Sequence, residues 1–481
     1  VVDAPRSPHP RIATAWRAVH APGRLERVAA LIAAGVVLMW ADAPLVEDSL
    51  FWWVPKGLLA AEQGPKLVLA HTLPDTIAGS LSPDATPPQW AGGLPDYAHP
   101  PLWYWWLGLW VRLFGASVTT IHLACAPIAA AAAAGWVALA RRLGAPLAGL
   151  APLALPPIFA QLLRPELDLP LLAASAWALV GLASGRWGLF AGAAVLAVGV
   201  KEPGVLLAAG GMLRVLHLRE WSKLPHALAP LVALGAWALL HGGLASAERL
   251  PASVGDWLWA DLPAALQLVF WEQGRGLLVV GLVAAVVALR PRRRGPVLWL
   301  SGLMVVWVVF FSIVGFRLQP HNPEPLTHVR YFGPGLAVLA VLASVRWPWV
   351  PLVGLVFLHG RSPYGPEASL YGVDAGRAEA ASAGWIREQV ADGRRVWVGS
   401  YHMAALSQTW TGHGTEGADG VRMYSADTLP RALDVGDLVV FAAYGEPAGP
   451  LVRAWTFEGV REWRAGEAVV VAAAVKAPRE R

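Results

Sequence analysis

Apolar blocks of roughly 15 to 22 residues recur along this chain, separated by short loops rich in Arg, Pro or Gly. Few soluble architectures can bury so many such blocks. A bundle of membrane helices can, because each block satisfies its own backbone inside lipid. The charge content agrees: only 15% of residues are charged and 56% are hydrophobic, against about 25% charged in an average soluble domain. The net charge of +5 sits in Arg clusters between apolar blocks. There it sets orientation and does not indicate a nucleic-acid partner. The single Cys125 lies in an apolar run and permits no disulfide within the chain.

Spans are expected at Val28–Val46, Val118–Ala140, Pro146–Leu163, Leu169–Ala183, Trp187–Val200, Gly204–His217, His226–Gly242, Gly276–Leu289, Val297–Phe316, Tyr331–Val345 and Trp347–His359. Ala41-Asp42-Ala43 has the form of a signal-peptidase site, but Pro44 follows at once and hinders cleavage, so the first block is kept as a span. Pro100–Gly115 is ambiguous, and the positive-inside rule decides it. With the basic N-terminus (residues 1–27) in the cytoplasm and Pro100–Gly115 not spanning, Arg141, Arg142, Arg186, Arg214, Arg219, Arg290, Arg292 to Arg294 and Arg346 all fall inside. If it spans, every one of them moves outside. The block carries Trp103, Trp105, Trp106 and Trp110 and is interrupted by Arg112, which suits a helix lying along the outer surface with its rings at the headgroups.

The expected fold is therefore mainly α: a polytopic membrane bundle of about eleven transmembrane helices over residues 28–359, with a first outer loop at 47–117. From residue 360 to 481 the composition turns soluble. Ala378–Gln389 reads as an amphipathic helix, and Arg395–Val398, Leu438–Phe441 and Ala468–Ala472 read as strands. These features predict a small extracytoplasmic α/β domain on a multi-pass protein of the inner (plasma) membrane.

This orientation collects ionisable residues of both signs at the outer face, where intramembrane or boundary charges point to function. Glu47 and Asp48 end the first span. Either they supply a base, or Asp48 caps a following helix over Leu50–Ala61. His99 precedes Pro100-Pro101-Leu102 and a run of aromatics. Arg164, Glu166 and Asp168 join two spans, Asp168 being a cap or a site group. Lys201-Glu202-Pro203-Gly204 forms another outer turn. Lys201 suits a phosphate as a point charge, or pairs locally with Glu202 at the surface. Arg330 opens a late span beside Tyr331; its guanidinium either binds phosphate or snorkels to the interface. No cofactor is required by any motif. His321, Glu324 and His328 offer donors for a divalent cation, in a spacing that matches no established zinc pattern. The chain lacks a phosphate-binding P-loop, a Rossmann glycine fingerprint, HExxH, GxSxG and an Asp-x-Asp pair. Nothing therefore supports a soluble nucleotide donor.

Together, in this order, Glu47-Asp48 with Phe51, His99-Pro100-Pro101-Leu102, Arg164 with Asp168, Lys201-Glu202-Pro203 and Arg330-Tyr331 resemble the GT-C glycosyltransferases. The specific likeness is to the protein O-mannosyltransferase and aminoarabinose-transferase group, glycosyltransferase families 39 and 83. The likeness covers roughly residues 25 to 350. The acidic pair departs from it: the family usually has Asp-Glu, and the base here is Glu47 or Asp48. The resemblance implies inverting transfer of a sugar from a polyprenyl-phosphate donor to a hydroxyl on a protein, lipid or glycan acceptor. In that picture Arg330, Lys201 and Arg164 bind the donor phosphate, while His99, Asp168, Glu202 and Tyr331 bind substrate. A transporter or flippase of lipid-linked glycans is the alternative. It needs a polar path across the bilayer, whereas the charges here stay at one face.

Overall fold

The computed structural model describes residues 23–45, 49, 53–65, 99–240, 294–318, 333–349, 370–399, 403, 409–410, 415–416, 421–423, 433–443 and 449–479. Its first part is helical: α1 (Arg24–Met39), α2 (Val54–Gln63), α3 (Leu102–Phe114), α4 (Val118–Leu123), α5 (Ala126–Arg142), α6 (Asp168–Ser184), α7 (Trp187–Val200), α8 (Leu207–Leu218), α9 (Leu224–Leu240), α10 (Arg294–Leu318) and α11 (Gly333–Arg346). Ser117 caps α4, its hydroxyl accepting from the Thr120 amide at 3.1 Å. Among the described residues, Val118–Arg142 and Trp221–Leu240 are long and apolar enough to cross a membrane; α6, α7 and α11 are apolar but shorter.

The surface of these helices is as informative as their length. α1 exposes Val28, Leu31, Ile32, Leu38 and Met39, and α9 exposes Leu231, Val232, Leu239 and Leu240. A helix packed on a soluble core carries polar residues on its outer face; these outer faces are aliphatic, as contact with lipid tails requires. Inside, α6 and α7 form an antiparallel hairpin that turns at Gly185 and Arg186. Gly181 there meets the Phe190 backbone so closely that no Cβ would fit, the small-residue contact that brings membrane helices together.

Arginines assigned to the cytoplasmic side are tied into structure. Arg141 forms a two-pronged pair with Glu26, at 2.6 and 2.7 Å, and so joins α1 to α5. Arg214 lies between the Trp187 and Trp299 rings, 5.3 and 5.0 Å from their centroids. It also donates to the Leu182 carbonyl and pairs with Glu220.

Several expected boundaries change. Pro146–Leu163 is not one helix. It is a 3₁₀ turn over Pro146–Leu150, a helical turn at Ala151–Ala154 and a short helix at Pro156–Leu162. Leu155 is extended (φ −78°, ψ 125°), because Pro156 disfavours the α conformation in the residue before it. The first helix stops at Met39, short of Val46. Trp347 to Trp349 follow α11 as a turn, so no helix starts at Trp347. The Gly276–Leu289 span, and the rest of the last span beyond Trp349, lie outside the described residues.

The region Pro100–Gly115 is helical, but it is not merely a surface helix anchored by its rings. Trp103 and Tyr104 are fully buried, because α3 packs across α2, with Leu107 against Gly57 and Gly108 against Ala60. Only its far end leaves Leu109, Leu113 and Phe114 exposed.

The C-terminal part contains α12 (Leu370–Ala391) and a five-stranded sheet in the order β4-β1-β5-β7-β6. The strands are β1 (Val396–Val398), β4 (Val421–Met423), β5 (Leu438–Phe441), β6 (Trp455–Ala465) and β7 (Ala468–Pro478); a separate pair is formed by β2 (Thr409–Trp410) and β3 (Thr415–Glu416). β1 runs parallel to β4 and β5, while β7 is antiparallel to β5 and β6. Ala375, Ala378 and Ile386 of α12 join Val396, Val440, Val470 and Ala472 in one core.

Candidate active site

The α6–α7 hairpin decides which polar groups meet. Asp168 opens α6 and Lys201 follows the last residue of α7. The helices are antiparallel, so both groups lie at the same end of the bundle. Lys201 Nζ donates to Asp168 Oδ1 at 2.6 Å, and each side chain is only 7% exposed. The acid sits at a helix N-terminus and the cation at a helix C-terminus, where the helix dipoles favour both.

Glu202 points elsewhere. Its Oε2 lies 2.6 Å from Nδ1 of His99, at the approach to α3. Each residue of the Lys201–Glu202 pair weighed from the sequence also takes a distant partner, Asp168 for Lys201 and His99 for Glu202. The turn makes this so. Lys201 is extended (φ −156°, ψ 135°), and Glu202–Leu206 coils into a 3₁₀ helix. At Gly204 an added Cβ would lie 2.5 Å from the Ala197 carbonyl carbon, so the turn folds tightly back on α7. Burial would raise the Glu202 carboxyl, but the facing His99 charge and hydrogen bond hold it below the usual carboxylate range.

A third group adjoins these two. Arg164 and Glu166 are almost wholly buried, with Arg164 Nη1 3.8 Å from Glu166 Oε1. Ser49 donates its hydroxyl to Glu166 at 3.3 Å. Beneath them, Cys125 Sγ lies 3.8 Å from the Arg164 carbonyl. Ser49 directly follows Asp48, so the Arg164 turn touches the segment that carries the acidic pair.

α2 supplies the remaining wall. The Trp53 ring lies 5.4 Å from His99 and 6.2 Å from Tyr104. Lys56, 2% exposed, has its Nζ 5.8 Å from the centre of the Tyr104 ring. Sequence reasoning passed over Ser49, Trp53 and Lys56. Lys56 had a usable signal: a lone cation within an apolar helix, shortly after an acidic pair. Ser49 and Trp53 had none, since their importance lies in what faces them.

Of the residues singled out from the sequence, the structure thus brings together His99, Arg164, Asp168, Lys201 and Glu202. Glu47, Asp48, Arg330 and Tyr331 lie outside the described residues, as do His321, Glu324 and His328. Among the described residues no group of three or more His, Cys, Asp or Glu is arranged to hold a metal ion.

No family model matches the chain, and no curated protein matches it. Solved structures are similar to it, two of which follow. ArnT from Cupriavidus metallidurans bound to undecaprenyl phosphate shares 17% identity at a TM-score of 0.47, over 96% of this chain and 98% of that one. ArnT from the same organism in the apo state shares 17% identity at a TM-score of 0.49, over the same shares of each chain.

Proposed function

We propose that this chain is a multi-pass membrane glycosyltransferase of the GT-C type. It transfers a sugar from a polyprenyl-phosphate donor to an acceptor hydroxyl at the extracytoplasmic face of the inner membrane. The observation that carries the reading is the meeting of buried ionisable groups from separate segments at one end of an apolar bundle. Lys201–Asp168 and Arg164–Glu166 are buried and His99–Glu202 is half-buried, and Ser49, next to the acidic pair, touches Glu166. Burying so many charges is expensive, and membrane proteins retain such groups chiefly where they act.

In this mechanism Glu47 or Asp48 accepts the proton of the acceptor hydroxyl. The oxygen attacks the anomeric carbon from the side opposite the phosphate. The carbon–oxygen bond to the lipid phosphate breaks, and the configuration inverts. Arg330, Lys201 and Arg164 stabilise the departing phosphate's charge. His99, Asp168, Glu202 and Tyr331 bind the sugar and hold these cations in place. The site belongs at the membrane because the donor's prenyl tail stays in lipid.

The test uses proteoliposomes supplied with a labelled polyprenyl-phosphate sugar and an acceptor panel. Glu47→Ala, Asp48→Ala and the double variant are compared with the unmodified chain. The double variant and one of the singles lose about 100-fold or more in transfer rate, the size of a general-base contribution. Undiminished transfer in all three would refute the base assignment. Movement of intact donor across the bilayer, without transfer, would favour a flippase.

A further inference from the structure

Helix α12 begins where the C-terminal part of the chain meets the bundle. Val373, near its start, forms a small buried cluster with Ala43 and Leu163, and Val36, Trp40 and Phe159 pack around it. The Trp40 and Phe159 rings meet edge-on at 6.3 Å. One turn further along α12, Arg377 Nη2 lies 3.6 Å from Asp42 Oδ1. Between these two contacts, Asp374 occupies the space beside Gly466 that a Cβ would need. Gly466 is in the β6–β7 turn and has φ +53°. One turn of helix therefore grips the bundle on one side and the sheet on the other.

The two bundle segments that α12 grips lead straight into the candidate site. Leu163 immediately precedes Arg164, and Asp42 and Ala43 lie just ahead of Glu47 and Asp48. The segments are far apart in sequence, and α12 touches both. We propose that α12 is a clamp. Val373, by filling the gap between Ala43 and Leu163, and Arg377, by holding Asp42, set the spacing between the Asp42–Ala43 segment and Arg164. Neither residue touches substrate, so both are positioning residues. The catalytic consequence rests on the transferase reading; the clamp itself does not.

Cys125 provides an independent reporter. It is the only cysteine in the chain, it is fully buried, and its sulfur sits against the Arg164 carbonyl. Loosening the clamp frees the Leu163–Arg164 segment and lets reagent reach the thiol. The experiment takes the full chain in lipid nanodiscs and compares it with Val373→Asp, Arg377→Asp and the charge exchange Asp42→Arg with Arg377→Asp. One readout is the rate of N-ethylmaleimide labelling of Cys125. The other is kcat and KM with labelled polyprenyl-phosphate sugar.

Val373→Asp raises labelling by about 10-fold and Arg377→Asp by about 3-fold, as local opening becomes easier. The charge exchange returns labelling to within about 2-fold of the unmodified chain, which a merely destabilised helix would not do. The kcat falls in step with labelling, while KM for the donor moves less than about 2-fold. Labelling that stays unchanged in both Val373→Asp and Arg377→Asp overturns the clamp, with or without transfer activity. If Val373→Asp does not fold, Arg377→Asp and its charge exchange decide alone: no change on the first, or no recovery on the second, overturns it. Raised labelling in the variants, when the unmodified chain itself transfers no sugar, supports the clamp and refutes the transferase reading instead.

Discussion

Breaking the Lys201–Asp168 pair should destabilise the bundle more than any other single polar change at the site. At 2.6 Å, and with an effective dielectric of about 20, the direct attraction is about 6 kcal/mol. Most of that is offset by the cost of desolvating both ions, which are each 7% exposed. The net worth of the intact pair is therefore small, whereas removing one member leaves the other buried without its counter-charge, at about 3–5 kcal/mol. Asp168→Asn and Lys201→Met should each lose about that much. Their combination should lose less than either one, because it removes both buried charges together, giving a coupling energy of about 3 kcal/mol or more. Equilibrium unfolding of the purified protein in mixed dodecyl maltoside and dodecyl sulfate micelles measures all four corners of the cycle. Single losses below about 1 kcal/mol that add within about 0.5 kcal/mol would show that the two groups do not share a desolvated contact. The reasoning about the α6–α7 hairpin would then be wrong.

The other predictions are briefer. Glu202 has its carboxyl held below the usual range by His99. Its stabilising contribution is therefore present above the unfolded carboxylate pKa of about 4.3, and it is lost as pH falls through the lower folded value. The stability gap between the unmodified chain and Glu202→Gln should thus close on acidification below about pH 4.3, as the same micelle titration would show. Gly108→Val should push α2 away from α3, because even a Cβ would lie 2.9 Å from the Ala60 carbonyl carbon. Overpacking of this kind costs about 1–3 kcal/mol, and increased proteolysis within α2 would report the displacement. In the C-terminal part, Asp437 accepts from Arg395 at 2.7 and 2.8 Å, from Trp397 at 3.0 Å and from the Asp434 amide at 3.0 Å. Asp437→Ala should cost about 1–3 kcal/mol, since it strands the buried Trp397 indole and takes a partner from half-buried Arg395, and Trp fluorescence during denaturation would detect it.

Much of the helical part was legible in the sequence. Trp187–Val200 is helical over the residues expected, and Leu438–Phe441 is a strand over the residues expected. Apolar runs set such elements locally, through the need to satisfy the backbone. Proline rules were equally local, yet the expected Pro146–Leu163 span ignored them, and the chain breaks at Leu155. β6 was missed because its residues Trp455–Ala465 mix aromatics with charge. Only pairing with β7 makes that segment a strand.

For the site, the sequence by itself supplied the residue types and their place at span ends: His99, Arg164, Asp168, Lys201 and Glu202. It did not supply the partners. Neighbours in the chain looked like a pair, Lys201 with Glu202, because sequence offers only adjacency. The tertiary structure chose Asp168 for Lys201 and His99 for Glu202. The physical reason is that two antiparallel helices return the chain to the end of the bundle where it began. Each charge, once shielded from water, then pairs with a group of opposite sign that the fold brings beside it.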